Sequence, residues 1–144
     1  MKKVFALLAV SALLLTGCGE KEVSASSDNL PTVTTNQGEA PTIGAPAGNP
    51  PSTLEIKDVI VGNGAEALPT STMTVHYTLM TWSNGQLIES SWNGGSPATF
   101  PLANVIVGLK QGSPGMKVGG RRLLVIPPDL GYGAQGGGPI GPHE

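Results

Sequence analysis

Gly112-Ser113-Pro114-Gly115-Met116-Lys117-Val118-Gly119-Gly120-Arg121-Arg122-Leu123-Leu124-Val125-Ile126-Pro127-Pro128-Asp129-Leu130-Gly131-Tyr132-Gly133 is the stretch on which the reading of this chain turns. Pro114, Gly115, Gly119 and Gly120 mark its start as a turn. Arg121 to Ile126 is a basic pair followed by leucine and β-branched residues, which predicts a strand. Pro127 and Pro128 have no N–H to give a ladder, so the strand ends there. Tyr132 then stands between two glycines, where its ring has room to face something other than its own backbone.

Upstream, Leu54, Ile56 and Val59 to Val61 predict a first strand, and Gly62-Asn63-Gly64 a turn. Met73, Val75, Tyr77 and Leu79 alternate with Thr74, His76 and Thr78, the pattern of a half-buried strand. Ser83-Asn84-Gly85 predicts a hairpin turn, since Asn-Gly adopts positive φ cheaply. Gln86 to Trp92 is then the return strand, and Thr99 to Leu102 a short edge strand. Asn104 is placed to cap a short helix carrying Val105, Ile106 and Leu109, with Gly112 ending it. No internal repeat is present.

Several of these pieces, in this order, resemble one family. The stretch from Gly115 to Gly133 is similar to the pattern Gly-Met-x-x-Gly-Gly-x-Arg-x-Leu-x-Ile-Pro-Pro-x-Leu-x-Tyr-Gly of the FKBP-type peptidyl-prolyl cis-trans isomerases. Val75-His76-Tyr77-Thr78, Glu89-Ser90-Ser91, Pro97 to Leu102 and Val105-Ile106-x-Gly108 match as well. Ordered motifs at matching spacing carry far more weight than one short motif. The resemblance implies an α+β fold: an antiparallel sheet wrapped on one short helix, over residues 53–144. It also implies a long apolar strand after the tyrosine loop, in the middle of the sheet. Here the sequence reaches Pro139-Ile140-Gly141-Pro142-His143-Glu144 and stops, so the expected domain lacks that strand and is weakly stable.

Rotation about an Xaa-Pro bond needs no nucleophile, metal or other cofactor. Its barrier is about 18–20 kcal/mol because resonance stiffens the C–N bond. An apolar, water-poor pocket that fits the twisted proline lowers it, with a few donors holding the peptide. The resemblance implies the candidate residues one by one. Tyr77 resembles the pocket-wall tyrosine and Phe100 an apolar wall residue. Val105 and Ile106 resemble the pair at the helix start, where the Ile106 N–H meets a peptide carbonyl. Tyr132 resembles the loop tyrosine whose hydroxyl donates to the ligand. Ile88 stands where the family usually has phenylalanine, Glu89 where it has aspartate, and Leu109 where a tryptophan forms the floor. Taken alone, Tyr77, Phe100, Ile106 and Leu109 read as core, and Glu89 as a solvated strand carboxylate. The expected partners are proline-containing unfolded or folding polypeptides, with weakened binding of macrolide immunosuppressants. The alternative is a non-catalytic, chaperone-like peptide-binding module using the same apolar residues.

The remaining sequence bounds these readings. The formal charge is −2, and Arg121-Arg122 is the only basic pair in the domain, read as a solvated strand face, so nucleic acid is not an expected partner. The single cysteine excludes an internal disulfide, and with two histidines a His- or Cys-based metal site is not expected. That cysteine, Cys18, closes Leu15-Thr16-Gly17-Cys18 after Lys2-Lys3 and an apolar run. The arrangement resembles a bacterial lipoprotein signal. Residues 1–17 are therefore expected to be a signal peptide and Cys18 a lipid anchor, placing the chain in the cell envelope, more readily on the outer membrane. Residues 18–52, without Phe, Trp or Tyr, predict a disordered tether with a reach of roughly 30 Å.

Overall fold

The computed structural model describes residues 29–144; the signal peptide and Cys18 expectations lie outside the described residues. Strand β1 (Glu55–Ile60) pairs antiparallel with β6 (Arg121–Val125). The half-buried strand expected over Met73 to Leu79 is two strands, β2 (Thr72–Val75) and β3 (Thr78–Met80), with His76 and Tyr77 at the break. β2 pairs antiparallel with β5 (Ala98–Pro101), and β3 with β4 (Leu87–Ser90). The fold is thus α+β: antiparallel strand pairs around one short helix, α1 (Val107–Gly112).

Local chemistry sets most of these boundaries. Gly85, at φ 63°, closes the β3–β4 hairpin, and its N–H donates to Thr81 O at 3.1 Å. The return strand is shorter than expected, because Ser91–Gly94 winds into a 3-10 turn. The helix also begins later than Asn104 suggests. Leu102–Asn104 is its own 3-10 turn, and Ile106 occupies the N-cap of α1 with no side-chain cap. A capping side chain contributes about 1 kcal/mol, so packing against a sheet readily overrides it.

That packing is close. A Cβ on Gly108 would collide with Ile126 Cγ2, and one on Gly112 would lie 2.7 Å from Leu124 Cδ2. Two glycines four residues apart on one helix face let α1 lie against β6. Alternation along β6 puts Arg122, Leu124 and Ile126 on the helix side. Arg122 is not a solvated strand residue. Its side chain is 10% exposed and forks onto Asp58, Nε to Oδ1 at 2.6 Å and Nη2 to Oδ2 at 3.1 Å. Its Nη1 donates to Gly112 O and Pro114 O, so the same guanidinium satisfies carbonyls at the end of α1.

Arg121 points elsewhere, also into contacts. Its Nη1 donates to Thr34 O at 2.7 Å and Nη2 to Glu39 O at 2.6 Å. Gln37 Nε2 donates to Gly119 O, and the Trp82 indole to Gly48 O. Within this segment Val33 bridges Ile43, and Gly44 N donates to Thr32 O. The second half of the expected tether is therefore a strap laid on the domain. Composition missed it because its contacts use backbone carbonyls, which any residue supplies.

Among the described residues, Leu102 (1% exposed), Ile140, Pro31 and Pro127 are buried; most other apolar groups are half-buried. No helix among them is long and apolar enough to cross a membrane.

Candidate functional site

Strand register assembles the site. Met73 opposes Phe100 and Val75 opposes Ala98, so these four share one face of β2–β5. The other face is solvent: Thr74 and Thr99 oppose each other there with their hydroxyls 2.8 Å apart. On β3–β4, Leu79 opposes Glu89. Tyr77, two residues from both Val75 and Leu79, joins the same row. Tyr77 and Glu89 lie beside each other, and Phe100 sits with Met73, Val75 and Ala98 on the covered face of β2–β5.

The Glu89 carboxylate, placed as an acceptor beside the Tyr77 phenol, raises the tyrosine's ionisation above its ordinary value; burial, the Glu89 charge and the nearby Tyr132 add to the shift. Tyr132 thus belongs to the same cluster, reached from the far side by the 3-10 turn Pro128–Leu130 that follows β6. Its ring is held by Gly137, where a Cβ would come within 2.7 Å of Tyr132 Cδ1. It is nonetheless 41% exposed.

Val105 and Ile106 form the corner into α1, both half-buried. The Ile106 carbonyl accepts from Leu109 N and Lys110 N, while no acceptor among the described residues takes the Ile106 N–H. Leu109, one turn on, is half-buried as well. Ile88 is the residue the structure does not tie to the cluster. It sits where the β3–β4 register slips between Leu79 and Met80, so alternation no longer assigns its face. A separate small cavity, lined by Asp58, Ile60, Met116 and Arg122, lies behind the ion pair and includes none of the site residues. Among the described residues no group of three or more His, Cys, Asp or Glu is placed to hold a metal ion.

Ser91 and His76 were not singled out from sequence as site residues. Ser91 N donates to Tyr77 O at 3.0 Å, and Ser91 Oγ accepts from Tyr77 N at 2.9 Å. His76 Nδ1 lies 3.0 Å from the same oxygen, and its ring stacks on Trp92 with centroids 4.0 Å apart. Their proximity in sequence to Tyr77 and Glu89 was the available signal.

The arrangement is an open apolar face with two phenols, a carboxylate and a free backbone N–H on its rim. Over residues 64–144 the sequence matches the family model described as FKBP-type peptidyl-prolyl cis-trans isomerase. It is 46% identical over 110 residues to an FK506-binding protein of Streptomyces anulatus, covering 74% of this chain and 89% of that one. It is similar to the outer membrane protein MIP of Legionella longbeachae, 39% identical over 65% of this chain and 40% of that protein. The crystal structure of AtFKBP13 superposes with a TM-score of 0.56 at 38% identity, covering 65% of this chain and 86% of that one.

Proposed function

The chain belongs to the FKBP-type peptidyl-prolyl cis-trans isomerase family, and on that footing we propose that it speeds rotation about Xaa-Pro bonds in folding polypeptides of the bacterial cell envelope. The observation that carries this reading is the proximity of Tyr77, Glu89 and Tyr132. The proline ring would lie on Tyr77, Phe100, Val105, Ile106 and Leu109. The Ile106 N–H and the Tyr132 hydroxyl would hold peptide carbonyls. A water-poor face favours the twisted bond, which has lost its amide resonance. A macrolide immunosuppressant would occupy the same face, weakly, since Leu109 and Ile88 offer no flat aromatic surface; each lost aromatic contact costs about 0.5–1.5 kcal/mol.

A measurement of cis-to-trans conversion of an Xaa-Pro peptide tests the reading. Expected is acceleration over the uncatalysed rate that Tyr77→Ala abolishes. The openness of the face favours a second reading, a chaperone-like module that binds proline peptides without isomerising them. Binding with no acceleration in the native chain would select it, and a Leu109→Trp variant that then gains activity would locate the deficit in the missing floor.

The envelope location rests on Leu15-Thr16-Gly17-Cys18 and on the likeness to an outer membrane protein. Lipid chains on Cys18 would contribute about 0.8 kcal/mol per buried methylene. Cys18→Ser should release the protein from washed membranes; retention at the native level would remove the anchor from the reading.

A further inference from the structure

We propose that Ser91, backed by His76, is the group that positions Tyr77 for its ligand. The inference rests on the isomerase reading of the Tyr77 face and adds a residue to it.

The argument starts from the break between β2 and β3. The β2–β5 ladder ends at Val75↔Ala98, and the β3–β4 ladder begins at Thr78↔Ser90. Tyr77 lies in the gap, where no strand pair holds its backbone. Extending the β3–β4 register by one residue sets Tyr77 opposite Ser91. Half of that pairing exists: Ser91 N donates to Tyr77 O at 3.0 Å. The other half would need the Ser91 carbonyl, but Ser91 has already turned into the 3-10 turn Ser91–Gly94. Its side-chain oxygen takes the carbonyl's place and accepts the Tyr77 N–H at 2.9 Å. A residue without a hydroxyl would leave that N–H without its partner in a part-buried setting.

His76 Nδ1 is 3.0 Å from the Ser91 oxygen, which also lies 3.4 Å from Tyr77 O, so the imidazole is the second side chain on this hydroxyl. Stacking on Trp92, at 4.0 Å and 18° between planes, fixes the ring's orientation. Trp92 and Glu89 belong to the same short segment as Ser91. One segment therefore holds Tyr77 twice, its backbone through Ser91 and its phenol through Glu89. Loosening the first hold lets the phenol leave the second.

The test uses the fact that the chain has two tyrosines. In a Tyr132→Phe background, phenolate absorbance reports Tyr77 alone. Ser91→Ala is expected to lower the ionisation of Tyr77 toward the ordinary tyrosine value. In the otherwise native chain it should reduce kcat/KM on an Xaa-Pro peptide about 2- to 10-fold, the equivalent of one net hydrogen bond. Ser91→Thr, which keeps the hydroxyl, should restore both. His76→Phe keeps a ring on Trp92 and removes the Nδ1 contact; it should shift the titration in the same direction by less. If Ser91→Ala does not fold, His76→Phe carries the same readout. Titration of Tyr77 unmoved by these variants overturns the proposal. Failure of the isomerase reading looks different: Tyr77→Ala would then turn over peptide like the native chain, whatever the titration shows.

Discussion

The two sides of this domain are built to different standards. On the β1–β6–α1 side, glycines bring helix against strand until there is no room for a methyl group, and Arg122 ties β6, Asp58 and the end of α1 together. On the β2–β5 and β3–β4 side, strands are three or four residues long, with their apolar side chains half-buried or, at Leu87, exposed.

Removing the clamp is the most direct way to break that contrast. Arg122→Met leaves Asp58 and two carbonyls without their donor. Loss of a charged, mostly buried hydrogen-bonding group should cost about 3 kcal/mol. It would be read as a lower denaturant midpoint with an unchanged slope. Unfolding at the native midpoint would mean that Arg122 is not what holds the two ends of this side together. Gly108→Val should come next. Its side chain would meet Ile126, and overpacking of this kind costs about 1–3 kcal/mol. A cost below about 0.5 kcal/mol would show that the helix lifts off β6 freely.

How far this contrast could be read in advance differs between the sides. The strand ending at Pro127-Pro128, the Gly85 turn and the alternation along β2 and β5 follow from local chemistry, and local chemistry is written in the sequence. The break at His76-Tyr77 is not, because apolar alternation runs through it unchanged. The helix start moved from Asn104 to Ile106, since packing outweighs one cap. Arg122 looked solvated because Asp58 is 64 residues away. Of the site residues, Tyr77, Glu89 and Tyr132 lie near one another, while Ile88 sits at a register slip that no spacing rule shows.

The open side should also differ in its response to alkali. The raised ionisation of Tyr77 means that the folded state holds this proton more tightly than the unfolded chain does. The associated stability is fully present below about pH 10, the ordinary tyrosine value, and is lost as pH rises through the folded value. Unfolding midpoints measured across that range should fall less steeply in Tyr77→Phe, which has no phenol to ionise. Parallel curves for the two proteins would show that the Glu89 contact does not stabilise this face.

The smallest expected effect sharpens the comparison, because it concerns the strap that reaches both sides. Arg121 and the Gly119 carbonyl hold residues 34–39 at the start of β6, on the tight side. The Trp82 indole holds Gly48 at the β3–β4 hairpin, on the open side. These contacts are exposed, and water competes for the guanidinium and the carbonyls, so Arg121→Ala should cost below about 1 kcal/mol. Its kinetic trace should be clearer than its thermodynamic one. With the guanidinium gone, residues 34–39 lose two carbonyl anchors, and amide hydrogens there and at the Val33–Ile43 bridge should exchange faster while those of β1 and β6 stay protected. Trp82→Phe should free only the Gly48 end. Equal exchange over 32–44 in the native and Arg121→Ala chains would show that the strap is held by something other than Arg121.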